Sequence, residues 1–493
     1  MEKNIQTNIE RIQNILGNSD EVICKELELN QTKCAIIYLL GLTDTAVLSK
    51  FVITPLLQYT QKFDSLETIQ NNCLTLGETS VIKNDKEIIS NILKGKGILL
   101  VDGFDQAIVL AIDKYKERSI DEPPTSTVIK GPRSGFVENL KTNLAEIRKI
   151  LASPQLRTIN LKVGKHTETM VTIVYIKGIA DNSIVQNVKK RIEQINVDGI
   201  IDSNYVAGFL EERPNSMFKQ IGNSEKPDVI SSKLLEGRVA IIVDGSPIVL
   251  TVPFIYVEEL QSGDDYYSNH IRAGFVRWIR IVSIFVSILI PGLYIAIVMH
   301  HYKAIPLKFL ITIVNTTKGL PLTPFAEILF VLILFEILYE ASLRMPKYLG
   351  LALSIVGALI LGDTAVKAGL ISPPAVMIVA ISGLTIYCVP DEAPQLYILR
   401  LLFTFAGAML GFFGITALIV FIIAYLCDFD SYGSAYFAPL APFVDSDLKD
   451  TFYKSDIINV KYRPRSIMNN RKNLKRQGKP KKWKKQLQPI NYV

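Results

Sequence analysis

LLEGRVAIIVDGSPIVLTVP (Leu234–Pro253) repeats, in outline, a stretch that begins 141 residues earlier, LKGKGILLVDGFDQAIVL (Leu93–Leu110). Each is an apolar, β-branched run, then Val-Asp-Gly, then Ile-Val-Leu. Continuous apolar runs such as Ile98–Val101 and Val239–Val243 fit strands covered on both faces. Asp-Gly between two such runs predicts a hairpin with a type I′ turn. Asp102-Gly103 and Asp244-Gly245 hold matching places, and turn chemistry accounts for them better than catalysis does. Two copies predict two related α/β subdomains.

The surroundings extend this reading. Between the copies, DEPPTSTVIKGPRSGF (Asp121–Phe136) is dense in Pro, Gly, Ser and Thr and reads as a linker. Val137–Leu151 and Ser183–Ile195 have helical apolar spacing, while Asn160–Val163 and Met170–Ile176 read as strands. The first unit offers a matching strand at Cys34–Leu40. The divisions expected are 1–34 as a helical or flexible N-terminal segment, 35–120 and 137–262 as the subdomains, and 121–136 as the linker.

After residue 271 the composition changes. Residues 281–427 are largely apolar, and residues 446–493 carry 14 Lys/Arg against 3 Asp. The chain as a whole has a formal charge of +7, so everything before this +11 tail sums to −4. Basic character is therefore local. It marks no nucleic-acid-binding body, and attraction of the tail to anionic lipid headgroups is its simplest role. The start, MEKNIQTNIERIQNIL, lacks the apolar core of a signal peptide, so the N-terminal region is expected on the side of synthesis.

A helix needs roughly 20 apolar residues to cross a bilayer. Ile281–Met299 and Phe325–Leu343 meet this, the second with Thr323 as N-cap and Pro324 at the first helical position. Tyr348–Leu361 and Ala375–Val389 are short and flank GDTAVKAGLISPP. Leu396–Leu426, interrupted by Gly407, Gly411 and Gly414, is either one tilted helix or two short ones packed through small residues. Cationic flanks place Arg277 and Arg280, and the tail with Arg463 and Arg465, at the cytoplasmic lipid surface. Both termini inside require an even number of crossings. The fold class expected is thus an α/β soluble region of two subdomains, an α-helical multi-span membrane domain over 272–428, and a basic cytoplasmic tail.

Charges within the apolar half mark candidate functional positions, because a carboxylate at mid-span costs roughly 2.5–3.5 kcal/mol or more. Glu336, Glu340 and Arg344 recur every four residues and share a helix face. Glu340–Arg344 reads as a self-neutralising pair, and Glu327 as a first-turn carboxylate complementing the helix dipole. Asp363 and Lys367 are also four apart. With Gly357, Gly362 and Val366 they form a candidate pore-lining or gating face in the broken segment Gly350–Gly369, and Glu336 and Glu340 are candidate pore-lining residues alongside it.

Five dispersed cysteines form no CxxC pair, four histidines show no metal spacing, and GxGxxG, GxxxxGK[ST] and GxSxG are absent. No cofactor, metal or enzymatic activity is expected.

Several long strings closely resemble the A subunits of GerA-type spore germinant receptors. They are VIKGPRSGFVENLKTNLAEIRK (Val128–Lys149), EERPNSMF (Glu211–Phe218), EKPDVISSKLLEGRVAIIVDGSPIVLTVPFIYVE (Glu225–Glu258), DDYYSNHIRAGFVRWIR (Asp264–Arg280) and RMPKYLGLALSIVGALILGDTAVKAGLISPPAVMIV (Arg344–Val379). The polybasic tail belongs with them, and the first 34 residues match least. The resemblance implies a subunit of a receptor in the inner membrane of bacterial spores. It further implies a transporter-like B subunit that binds the nutrient, a C-subunit lipoprotein, and an A-subunit oligomer acting as a nutrient-gated ion channel. A secondary transporter and a membrane-anchored scaffold are the rival readings.

Overall fold

In the computed structural model, residues 1–29, 32–59, 65–114, 131–344, 363–455 and 462–469 are described. The chain begins with helix α1 (Ile5–Leu16), strands β1 (Val22–Leu29) and β2 (Thr32–Leu39), and a helical stretch over Thr45–Gln58. Then come β3 (Thr79–Ile82), α2 (Asp85–Leu93), β4 (Gly97–Val101) and β5 (Ala107–Leu110). The order repeats with α3 (Leu140–Ile150), β6 (Leu156–Val163), β7 (Thr169–Ile176), α4 (Asn182–Glu193) and α5 (Ser203–Leu210). It closes with β8 (Gly222–Ser224), α6 (Pro227–Glu236), β9 (Val239–Val243) and β10 (Val249–Val252). Each unit is one five-stranded antiparallel sheet, ordered β1-β2-β4-β5-β3 in the first and β6-β7-β9-β10-β8 in the second. The central strands β4 and β9 are buried at every residue because helices cover both faces, which is why they read as unbroken apolar runs.

The repeat extends to individual hydrogen bonds. Asp102 Oδ1 accepts the Ile5 N–H at 3.1 Å, and Asp244 Oδ1 accepts the Leu140 N–H at 3.1 Å. Gly103 donates its N–H to the Lys3 carbonyl at 2.9 Å, and Gly245 donates to that of Glu138 at 2.8 Å. Asn8 and Asn143 each tie back to the backbone six residues before them, at Glu2 and Val137. Two expectations change as a result. Only the glycines take positive φ (Gly103 91°, Gly245 89°), so the aspartates do not sit in a type I′ turn. Each instead satisfies a donor at the N-terminus of its unit's first helix. The boundary between 34 and 35 also moves: α1 buries Ile5, Ile9, Ile12 and Leu16 against the first sheet, and β1 pairs with β2 along its whole length. The first subdomain therefore includes the N-terminus.

The two units are clamped together. Arg148 on α3 holds Glu21 with Nε–Oε2 2.9 Å and Nη2–Oε1 3.2 Å, both residues are buried, and Thr158 adds an Oγ1 bond to Glu21 of 2.7 Å. All five cysteines are free.

The helical half comprises α7 (His270–His300), α8 (Leu307–Thr317), α9 (Pro324–Arg344), α10 (Pro373–Ile386) and α11 (Ala393–Cys427). Thr323 caps α9 as expected, its Oγ1 accepting the Ala326 N–H at 3.3 Å. Two of these helices, α7 and α11, are long and apolar enough to cross a membrane by length and composition. The 35 residues of α11 would reach about 52 Å if straight. They do not run straight. Gly411 has φ 60° and ψ −141°, which breaks the helix. Gln395, at the start of the first leg, bonds Glu259 on the turn Tyr256–Leu260, and Phe429, just after the second leg, packs on Tyr436, which itself packs on Tyr256 of that turn. The ends converge, so Ala393–Cys427 is a hairpin of two legs. This settles the alternatives left open for Leu396–Leu426 in favour of two short helices. Small residues allow it: a Cβ on Gly407 would collide with the Gly292 carbonyl oxygen on α7, and one on Gly414 with that of Ala406. The apex packs on the end of α7, where His300 Nε2 bonds the Ala408 carbonyl at 2.7 Å and His301 stacks on Phe412.

Candidate functional site

The charged residues of the helical half separate into exposed pairs and buried ones. Glu340–Arg344 and Asp363–Lys367 are i,i+4 ion pairs on the surface, the second at 2.6 Å. Val366 beside them is half-buried. Gly357 and Gly362, with the segment 345–362, lie outside the described residues. The candidate gating face is therefore described only at Asp363, Val366 and Lys367, and these do not meet Glu336.

Glu336 meets Arg400, a residue that helical spacing did not single out. Arg400 sits in the first leg of α11, 3% exposed, with Nη2 3.4 Å from Glu336 Oε2 on α9 and Nη1 3.3 Å from Ser382 Oγ on α10. Ser382 in turn donates to the Ser287 carbonyl on α7 at 2.7 Å. One polar chain thus runs through four helices inside an apolar bundle. The guanidinium lies over the Tyr397 ring at 5.0 Å, and Tyr339 packs beside that ring. Among the described residues Arg400 Nε has no partner, so the cluster keeps an unsatisfied donor. A buried carboxylate elsewhere on α9, Glu327, accepts the Ser372 N–H at the start of α10, joining α9 to α10. That bond goes beyond the dipole role expected of Glu327. The sequence did carry a signal for Arg400: a lone arginine inside an apolar block is costly unless paired.

Below the bundle, the second subdomain is bolted to it. Arg277 near the start of α7 is fully buried, with Nε 2.8 Å from Asp265 Oδ2 and Nη1 2.9 Å from Asp450 Oδ1. Arg280 donates to the Leu260 carbonyl and lies 3.3 Å from Asp265. Arg463 is buried and donates to the Leu235 carbonyl at 2.6 Å. These three arginines were expected at the lipid surface. The structure corrects that: acidic partners and orphan carbonyls at the domain joint hold them inside the protein. Arg465 is exposed, its guanidinium over the Tyr462 ring at 5.8 Å. After α11, Phe429 packs on Tyr436, and Tyr436 on Phe254 and Tyr256. Arg213 binds the Asp428 carbonyl at 2.9 Å, and Asn469 bridges to Ala180. The chain leaving the helices is thereby stitched back onto the second sheet.

The joint contains a cavity of about 720 Å³, lined by α6, the 3-10 turn Tyr256–Leu260, the segment before α7, and the turn between α10 and α11. On one wall Glu258 binds Lys233 and Arg238, each at 2.8 Å. Burial alone pushes the Glu258 carboxyl up, but Arg238 and Lys233 outweigh it and hold the group below its ordinary value. On another wall Glu259 does the opposite: burial and the neighbouring Glu392 push it well above the ordinary carboxylate range. Asp391 and Glu392 were expected in a loop. They lie in the 3-10 turn Pro390–Glu392, and Glu392 is buried.

The family model described as Bacillus/Clostridium GerA spore germination protein matches residues 10–466. Spore germination protein KA of Bacillus subtilis (strain 168) is 35% identical over 479 residues, covering 96% of this chain and 88% of the relative. Spore germination protein B1 of the same organism is 32% identical over 469 residues, 94% of this chain and 97% of the relative. Spore germination protein GerLA of Bacillus cereus is 30% identical over 471 residues, 94% and 96%. A crystal structure of the N-terminal domain of the A subunit of the Bacillus megaterium spore germinant receptor GerK3 is 29% identical. It covers 52% of this chain and 97% of that one, at a TM-score of 0.42.

Proposed function

This chain belongs to the GerA family of spore germination proteins, and from that premise we propose that it is the A subunit of a spore germinant receptor in the spore inner membrane. In this reading the helical half crosses the bilayer several times and both termini face the spore core. Copies of the chain assemble around an ion path and work with a transporter-like B subunit and a C-subunit lipoprotein. Nutrient binding at the partner moves the soluble region, and the movement opens the helices to ions. A ligand shifts such an equilibrium only by its differential affinity for the two states.

The observation that carries this reading is the Arg400–Glu336 pair inside the apolar bundle. Paired charges retained at such a depth are costly, and they mark ion or proton paths more often than they stabilise. Support also comes from Arg280, whose bond to the Leu260 carbonyl, beside the Arg277–Asp265 and Arg277–Asp450 ion pairs, ties the end of the second subdomain to α7. Recording from the assembled receptor in planar bilayers, with and without candidate amino acids or sugars, tests the proposal. Nutrient-dependent conductance that is lost in Arg400→Gln is the expected result. Absence of conductance, with accumulation of labelled nutrient by vesicles, would favour the transporter instead.

A further inference from the structure

Helix α8 joins α7 to α9 at the end of the bundle away from the joint. From the joint, the 31 residues of α7 reach about 46 Å and end on the apex of the α11 hairpin, where His301 stacks on Phe412. Near the start of α9, Phe325 meets Phe405, in the half of the first α11 leg that leads to the apex, edge-on. The chain therefore leaves and re-enters the bundle at the same end. The 11 residues of α8 reach about 16 Å, roughly half of a bilayer's hydrocarbon core, so α8 does not cross one.

Three sides of α8 differ in character. Ile313, its one buried residue, marks the side turned to the protein. Leu307, Ile311 and Val314, spaced i, i+4 and i+7, form an apolar stripe that is 71, 51 and 52% exposed. Lys308, Thr312 and Asn315 form an exposed polar stripe, about 100° round the helix from the apolar one. Lys303 before the helix and Lys318 after it are exposed as well. No Asp or Glu occurs between Asp265 and Glu327, and Glu327 is buried on the Ser372 N–H. Among the described residues none of the three lysines has an ion-pair partner.

An apolar stripe alone fits many partners. Flanked by three uncompensated lysines, it fits a layer of phosphates over acyl chains, the pattern of a helix lying in a membrane surface. Lysine stems are long enough to lie along the apolar layer while the ammonium groups reach the headgroups. We propose, on the reading that the helical half crosses a bilayer, that α8 lies in the surface of an anionic membrane on the side away from the soluble region. Leu307, Ile311 and Val314 enter the acyl chains, and Lys303, Lys308 and Lys318 meet lipid phosphates. Held there, α8 fixes the adjoining ends of α7 and α9 at headgroup depth, and lipid charge sets how firmly they are held.

A fluorescent NBD probe on single cysteines of the full-length protein in lipid nanodiscs tests this. Cys388 and Cys427, the exposed native thiols, are first replaced by Ser. Probes are placed at Val314→Cys on the apolar stripe, Asn315→Cys on the polar stripe and Phe285→Cys midway along α7. In discs containing phosphatidylglycerol, aqueous iodide should quench the Val314 probe several-fold less than the Asn315 probe. The difference should shrink in phosphatidylcholine alone and in the triple variant Lys303→Gln/Lys308→Gln/Lys318→Gln, while the Phe285 probe stays shielded throughout. Should Val314→Cys fail to fold, Ile311→Cys reports on the same stripe. Equal quenching at Val314 and Asn315, with Phe285 shielded, overturns the placement of α8 and leaves the spanning helices standing. Quenching at Phe285 as well overturns both. Shielding of Val314 that is the same in either lipid and in detergent also overturns the proposal, because a protein surface then covers the stripe.

Discussion

Asp102 and Asp244 make the same bond in two places: each accepts, at 3.1 Å, the first N–H of the helix that opens its own subdomain. Neither lines the joint cavity. Their role is to close a strand turn and a helix start at once, in two copies of one unit. Replacing Asp244 by Ala leaves the Leu140 N–H without its acceptor and removes a negative charge from a helix N-terminus. A loss of about 1–2 kcal/mol is expected in chemical denaturation, and Asp244→Asn should lose less because it keeps the acceptor. Germinant-triggered ion release should be unchanged once the protein is folded. A specific loss of that response with full stability would make the aspartate functional after all.

Gly411 carries the hairpin of α11. Its φ of 60° and ψ of −141° lie where a side chain is strained, and a Cβ there would come within 3.0 Å of His301 Nε2 and 3.1 Å of His300 Cβ. Gly383, by contrast, lies in α10, and a methyl group on its Cα would meet no other atom within 4 Å. Gly411→Ala should therefore lower the unfolding temperature of the purified protein strongly, by an amount corresponding to roughly 1–3 kcal/mol or more. Gly383→Ala should be neutral or slightly stabilising through helix propensity. Equal effects of the two changes would mean that the legs are not held back to back.

How far the sequence discloses all this depends on the range of the physics involved. The sheets were legible because burial on both faces leaves an unbroken apolar run, and Val239–Val243 is such a run. Strand β1, VICKELEL, alternates apolar and charged residues as an edge strand does, so its membership in the sheet depends on its pairing with β2. The α1 stripe Ile5, Ile9, Ile12, Leu16 has helical spacing, but nothing local says which sheet it covers. Charges were harder. Arg277 beside an apolar run has the pattern of a lipid-facing flank, and its partner Asp450 lies 173 residues away. No local spacing can reveal that pairing. The same holds for Glu336 and Arg400, 64 residues apart.

The two neighbouring glutamates of the joint should respond to pH in opposite senses. Glu258 is held below its ordinary value in the folded protein, so it contributes stability above the unfolded carboxyl pKa of about 4.3, and that contribution disappears as pH falls through the folded value. Glu259 is raised, so its contribution is complete below about 4.3 and is lost as pH rises through its folded value. Melting curves from about pH 3 to about pH 8 separate them. Glu258→Gln should lower Tm near neutral pH, leaving Arg238 and Lys233 short of a counter-charge, and should flatten the acid limb. Glu259→Gln should raise Tm at neutral pH relative to wild type, because it removes the group whose ionisation burial and Glu392 oppose. Parallel shifts of the two variants across the whole range would contradict the assignment.

The pair in the bundle offers the most direct link from packing to function. Arg400 is buried and touches α9 and α10, whereas the Glu336 side chain is 42% exposed. Their removal should therefore be asymmetric. Arg400→Gln takes away the group joining three helices and leaves Glu336 without a counter-charge at depth, while Glu336→Gln leaves a guanidinium still bound to Ser382. Breaking a buried pair typically costs about 3–5 kcal/mol, and the exposure of Glu336 places this one toward or below the low end. The double variant Glu336→Gln/Arg400→Gln should recover part of the loss, because neither charge is then left unpaired. If the pair is only structural, stability and nutrient-triggered ion efflux will recover together in the double variant. If it lines the ion path, stability will recover while efflux stays low. Thermal unfolding of the purified protein and potassium efflux from spores carrying each variant make the distinction, and the receptor reading expects the second outcome.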